Sequence, residues 1–358
     1  NRKRIPLKSA DRALRQGAYP YYGASGIVDW IDDYLFEGKH LLISEDGENL
    51  RSRTTPIAFR VYGRFWVNNH AHVVTESEPG LLDYLEYALA RFDLAPYITG
   101  AAQPKLNKGT LEAIQLHVPP VDERLAINSI LNSLTDKIEL NRRMSATLEE
   151  MARALFRSWF VDFDPVHAKA RGEAPAHMDA ATAALFPDRF GEDGLPEGWH
   201  FSGLDEVADF LNGLALQKFP AVEGCPFLPV IKIAELRSGV NAKSGRAARE
   251  IQDRYVVRDG DVLFSWSGSL LQKVWTGGEG ALNQHLFKVT STAVPKWFHF
   301  FAVDQHMEEF RAVAASKATT MGHIQRHHLR DAKVVVPDSM LLSSLNAFVA
   351  PLFSRWIQ

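Results

Sequence analysis

VDERLAINSILNSLTDKIELNRRMSATLEEMARALFRSWF, residues 121–160, runs forty residues without a glycine or a proline. Apolar or small residues fall at Ile127, Leu131, Leu134, Ile138, Leu148, Ala152, Leu155 and Trp159. The steps alternate four and three once Asn141 and Ser145 fill the two gaps, which is the period of a coiled-coil seam. Pro119 and Pro120 precede the run, Asp122 can cap its first turn, and Asp164-Pro165 stops it, since proline disfavours helical geometry in the residue before it. At about 1.5 Å per residue the helix would be roughly 60 Å long. That length exceeds an ordinary core helix, so the expectation is a strut that joins two bodies.

Composition sets the outer bounds. The 358 residues are 46% hydrophobic and 23% charged, a globular balance with room for two or three domains. The apolar runs read as too short for a membrane span. One cysteine, Cys225, excludes internal disulfides, fits a reducing cytoplasm, and reads as a small buried hydrophobe rather than a nucleophile. A formal net charge of −3 gives no global electrostatic case for nucleic acid, so any such binding must come from local patches.

Working outward from the helix, the two flanking blocks repeat one another. LISEDG (42–47) matches LFSWSG (263–268), and VNNHAHVV (67–74) matches LNQHLFKV (282–289), sharing Asn68 with Asn283 and His70 with His285. PKLNKGTLEAIQLHVP (104–119) parallels GHIQRHHLRDAKVVVP (322–337), and Ile127, Leu131 and Leu134 align with Leu345, Val349 and Leu352. A separation of roughly 215–221 residues is a duplicated domain, not a solenoid repeat. Segments 40–47, 56–63, 64–74 and 113–120 read as strands, and 81–92 as an amphipathic helix with Leu82, Leu85, Leu89 and Phe92 on one face. The expected layout is a first domain at 1–118, a spacer helix at 119–164, a linker at 165–194, a second domain at 195–336 and a second helix at 337–358. Short strands mixed with peripheral helices, without βαβ alternation, make the class α+β. The seam residues Ile127, Leu131, Leu134, Ile138, Leu148 and Leu155 need a partner, and Leu345 and Leu352 of the last helix offer an antiparallel coiled coil.

Catalytic signatures are sparse. There is no GxxxxGK[ST] loop, no GxGxxG at a strand–helix junction, no HExxH and no CxxC. A metal-dependent nuclease could draw on Asp29, Asp32, Asp33, Glu37 and Lys39, but they crowd into one short segment with no similar set in the second block, and a solvated acidic loop is the preferred reading. His323 and His327 could share a helix face and hold a metal, but no carboxylate or thiolate completes the set. Trp66, Trp275, Trp297 and Phe298 read as core. The polar loops carry the residue types that meet DNA: lysine and arginine for phosphates, asparagine and glutamine for adenine, serine and threonine for either. In the first block these are Tyr21, Tyr22, Ser25, Asn68, Asn69, Gln103, Lys105, Asn107 and Lys108. In the second they are Lys232, Ser265, Trp266, Ser267, Gln284, Lys317, Thr319, Thr320, His323, Gln325 and Arg326. A protein-binding coiled-coil adaptor is the third reading.

ISEDG, WVNNHAHVV and AQPKLN in the first block, then LNGLALQKFP, DGDVLFSWSG, GALNQHLFKV and TTMGHIQRHHL in the second, resemble the specificity subunit of type I restriction-modification enzymes. LHVPPVDERLAINSILNSL resembles that family's central helix region, and LPEGW (195–199) its lead-in to a recognition domain. The resemblance implies a non-catalytic subunit whose two target recognition domains each read half of a split DNA sequence. It further implies helices that set the gap and dock two methyltransferase subunits, with motor-nuclease subunits completing the complex. S-adenosylmethionine, ATP and magnesium would then sit on those partners. Two departures, no lead-in before Asn1 and a last helix that stops at Gln358, give the expectation of a trimmed chain.

Overall fold

The computed structural model describes residues 3–316 and 322–357 and divides the chain into two units, 1–140 and 141–358. In the first unit a short helix α1 (Ser9–Ala13) leads into β1 (Gln16–Gly23), β2 (Gly26–Ile31), β3 (Phe36–Glu37) and β4 (His40–Ser44). Helix α2 (Asn49–Ser52), β5 (Ala58–Val61), β6 (Arg64–Val67), β7 (Ala71–Thr75), α3 (Leu81–Arg91) and α4 (Lys108–Glu112) follow. The strands form two sheets, ordered β2-β1-β6-β3 and β5-β4-β7. Strand β1 runs parallel to β6, which pairs Tyr21 with Trp66 and Tyr22 with Val67.

β4 shows why this arrangement is stable. Every residue of HLLIS is buried, and the two-residue period of a strand sends alternate side chains into different cores. Leu41 and Ile43 join Leu82 and Leu89 of α3, whereas Leu42 joins Val61, Phe65 and Val67.

Helix α5 (Val121–Phe160) runs unbroken through both units, with Asp122 and Glu123 in its first turn and Arg157 in its last, as the helix dipole favours. The second unit continues with α6 (Asp164–Ala170), α7 (Ala180–Ala184), β8 (His200–Gly203), α8 (Leu204–Val207), β9 (Asp209–Asn212), β10 (Phe227–Ile231), α9 (Ile233–Ser238), β11 (Arg246–Ala248) and β12 (Val256–Val257). Then come β13 (Val262–Ser265), β14 (Gln272–Val274), β15 (Gly280–Leu282), β16 (Leu286–Thr290), α10 (Lys296–Gln305), α11 (Met307–Ser316), α12 (Arg326–Asp331), β17 (Lys333–Val336) and α13 (Ser339–Ile357). Its sheets are ordered β11-β10-β15-β12 and β14-β13-β16-β9, beside a β17-β8 pair.

The two units therefore share one topology. β10 runs parallel to β15 as β1 does to β6, and β12 closes the other side of β15 as β3 does for β6. β13 repeats the alternation of β4, sending Val262 and Phe264 to the large core and Leu263 to a second one.

Several expectations change. Residues 113–120 form no strand, although the equivalent β17 does so by pairing with β8. The segment 165–194 is folded rather than a bare linker, with Val166 and Phe186 buried in the second unit's core. Cys225 is exposed, in the turn before β10. Helix α13 is long and apolar enough to cross a membrane by composition, but it contributes Leu341, Leu342, Leu345 and Phe353 to that same core.

The helix seam is the largest difference. Leu134 and Ile138 are 55% and 52% exposed within the first unit. The residues α5 buries there are polar: Arg124, bonded to the Pro79 carbonyl at 3.0 Å, and Asn128, donating to the Gly80 carbonyl at 2.7 Å. Asn132 continues this row, accepting from Arg60 and Tyr87 at 2.9 and 2.8 Å. In the second unit α5 and α13 share a core through the rings of α10. Phe156 lies 5.4 Å from Phe298, and Phe353 lies 5.5 Å from Phe300. A groove lined by Leu148, Leu155, Val349 and Leu352 remains between the two helices there.

Candidate nucleic-acid interface

Where β4 ends, three loops of the first unit are tied into one frame. The Glu45 N–H donates to the His70 carbonyl at 2.9 Å, the Leu106 N–H to the Glu45 carbonyl at 2.8 Å, and the Gly47 N–H to the Pro104 carbonyl at 3.0 Å. Asn68 fixes the β6–β7 turn: its own N–H donates to the Tyr22 carbonyl at 3.0 Å, while its side-chain oxygen accepts the His70 N–H at 2.8 Å. The His70 ring closes the frame with Nδ1 at 2.8 Å from an Asp46 carboxylate oxygen. Gly47 has φ of 107°, a value that side chains strongly disfavour, so the loop can turn only with glycine there.

The second unit builds the same frame at the end of β13. The Trp266 N–H donates to the His285 carbonyl at 3.4 Å, the Ile324 N–H to the Trp266 carbonyl at 2.9 Å, and the Gly268 N–H to the Gly322 carbonyl at 2.8 Å. Asn283 plays the part of Asn68, donating to the Ile231 carbonyl at 3.2 Å and accepting the His285 N–H at 3.3 Å. His285 Nδ1 meets Ser267 Oγ at 3.0 Å, and Gly268 again has positive φ. Position for position, Asp46 answers to Ser267, His70 to His285, and Lys105 to His323. Backbone bridges join Asp46 to Lys105 and Ser267 to His323.

The candidate contact residues divide by burial. Ser25, Asn69, Gln103, Lys105, Asn107 and Lys108 are exposed in the first unit, as are Lys232, Gln325 and Arg326 in the second. Asn107 also caps α4 by accepting the Thr110 N–H at 3.0 Å, and Lys108 faces Glu112 at 3.4 Å. Trp266, Gln284 and His323 are half-buried, Trp266 donating from Nε1 to Asn212 at 3.0 Å. Tyr21, Asn68, Ser265 and Ser267 are interior, a correction to their reading as presented groups. Tyr21 accepts the Leu7 N–H at 2.9 Å and Ser265 donates to the Ser269 carbonyl at 2.6 Å, so their polar atoms are spent holding the frame. Tyr22 is half-buried against Phe59 and Phe65. Lys317, Thr319 and Thr320 lie outside the described residues. Asp46 and the two histidines belong to the frame although polarity alone does not single them out, and for the histidines the recurrence in both blocks is the available signal.

The rival sites come apart. Asp29 is bonded to Arg12 at 2.8 Å, which holds its carboxyl below the usual range. Asp32 pairs with Arg15 at 2.9 Å, Glu37 with Arg64 at 3.1 Å, and Lys39 with Asp83. Asp33 shares Arg15 with Asp32 at 3.6 Å, so every one of these carboxylates faces a cation, and no group of three metal-binding side chains gathers among the described residues. His323 sits ahead of α12 and His327 within it, so they share no helix face. Trp66, Trp275, Trp297 and Phe298 are all buried, as core.

The site is thus a loop frame built twice on an α+β scaffold, displaying polar and basic side chains. Residues 1–150 match the family model described as the type I restriction modification DNA specificity domain. A Haemophilus influenzae protein assigned as a type I restriction enzyme specificity subunit is 37% identical over 135 residues, 38% of this chain and 34% of that relative. The type I restriction enzyme MjaIX specificity subunit of Methanocaldococcus jannaschii is 22% identical over 288 residues, 77% of this chain and 63% of the relative. The matches therefore span less than two thirds of the length of either relative. In fold, the chain is similar to the crystal structure of a type I restriction-modification S subunit from M. genitalium. The TM-score is 0.51 at 14% identity, over 99% of this chain and 86% of the other. The chain is a relative of the type I restriction-modification specificity subunits and carries their DNA specificity domain in its first 150 residues.

Proposed function

We propose that this chain reads DNA sequence, without catalysis of its own, for a type I restriction-modification complex. The observation that carries the reading is the frame built twice with different side chains at its tips. Asn69, Gln103, Lys105, Asn107 and Lys108 beside one copy, and Lys232, Gln284, Gln325 and Arg326 beside the other, supply phosphate partners and base-edge partners. Two such readers in one chain suit a target in two parts, and the unbroken α5 suits a fixed gap between them. In this reading the uncovered apolar positions of α5, Leu134 and Ile138 among them, receive two methyltransferase subunits, and motor-nuclease subunits complete the assembly. S-adenosylmethionine, ATP and magnesium belong to those partners, and the complex works in the cytoplasm.

Duplex binding by the purified chain, titrated against salt, tests the proposal. Affinity should fall steeply with salt, and the double substitution Lys105→Ala, Lys108→Ala should lower the slope of log K against log salt by about 2. Binding that ignores salt would favour a protein-binding adaptor. Magnesium-dependent DNA cleavage by the chain alone, abolished by Glu37→Ala, would make it a nuclease and overturn the reading.

A further inference from the structure

Resting on the DNA-reading role just proposed, we infer that Asp46, whose place in the other unit is taken by the buried Ser267, sets a base preference. In the first unit it selects a base with an exocyclic amino donor in the major groove, adenine N6 or cytosine N4. The frame around this position is the same in both units, down to the histidine whose Nδ1 it holds at 2.8 or 3.0 Å. Since a serine hydroxyl completes the second frame, the fold itself has no need of a carboxylate in the first.

A carboxylate facing DNA repels phosphates and is retained at a cost unless it accepts a hydrogen bond from a base. Asp46 has only lone pairs to offer. The His70 side chain is 46% exposed and that of Asp46 15%, so the carboxylate sits at a partly open tip. Lys105, bridged to Asp46 through the backbone and exposed, supplies the cation that lets the acid approach the duplex. The second tip differs in kind. Ser267 both donates and accepts, and the Gln284 amide faces His285 Nε2 at 3.3 Å.

Selection of duplexes from a randomised library by the full chain tests this, with Asp46→Ser and Asp46→Leu beside the wild type. The wild type should enrich a two-part motif with one adenine or cytosine fixed in the half that Asp46→Ser alters, and the library reports which base. Asp46→Ser should reduce enrichment of that base by about tenfold or more and leave the other half unchanged. Should Asp46→Ser erase its half altogether, Asp46→Leu, close in size and without an acceptor, decides, and loss of the single base preference is the expected result. An unchanged motif in Asp46→Leu would overturn the inference alone, because the wild-type motif would still stand. Absence of any wild-type motif would overturn the DNA-reading role and this inference with it.

Discussion

His299 shows how a single buried side chain couples the second unit to pH. It lies within α10 among Phe298, Phe300 and Phe301, and burial, helped by Lys296 one turn earlier, pushes its pKa down to about 4. The unfolded chain takes up this proton near pH 6.5, whereas the folded chain resists until about 4. The stability contributed is complete above pH 6.5 and drains away as pH falls from there towards 4, by about 3 kcal/mol. Urea melts of the second unit's signal between pH 7 and 4 should show this decline, and His299→Leu should flatten it. In the first unit Asp83 answers both Lys39 and Arg60. Burial alone would raise its pKa, but those two cations outweigh it and hold the carboxyl below the usual range. Asp83→Ala leaves Arg60 with Glu86 and Lys39 with Glu76 at 3.9 Å, and should destabilise the first unit by about 2 kcal/mol, read as a fall in urea midpoint at unchanged slope. Neither cluster was legible in the sequence. Asp83 occupies one position of an amphipathic helix and Arg60 an alternating place in a strand, and only the tertiary approach of β5 to α3 makes them partners.

Among the elements, α5 was read most fully in advance and also misread most instructively. The absence of glycine and proline, the capping acid and the Asp164-Pro165 stop fixed its extent to within a few residues, and no break occurs at Asn141. The four-three spacing, however, pointed to a seam through Leu134 and Ile138. The residues actually buried in the first unit are Arg124 and Asn128, which satisfy the carbonyls leading into α3, and half-buried Asn132 continues the same i, i+4 row towards Arg60 and Tyr87. Periodicity locates an apolar stripe but cannot say what covers it, and a polar row that meets backbone acceptors leaves no mark in hydropathy. Asn141→Pro should test the helix as an element. With the proline's missing N–H and ring clash costing about 3 kcal/mol in a helix interior, helical circular dichroism should fall while each unit keeps its own melt. A target with a fixed gap should then be bound more weakly than its two halves taken separately.

At the scale of the molecule the duplication decides most. The repeat of serine, glycine, asparagine and histidine at similar offsets was visible in the sequence, and it predicts two units of like topology, which the strand orders bear out. The contact residues were less legible because burial sorts them. Tyr21, Ser265 and Ser267 have the composition of a DNA surface and the placement of a scaffold. Exchange of residues 1–118 for the corresponding segment of a relative with another target, followed by methylome sequencing in cells supplying the methyltransferase, tests the account most directly. Two independent readers predict that one half of a two-part motif changes while the other half and the gap persist. A change in both halves, or in neither, would contradict it.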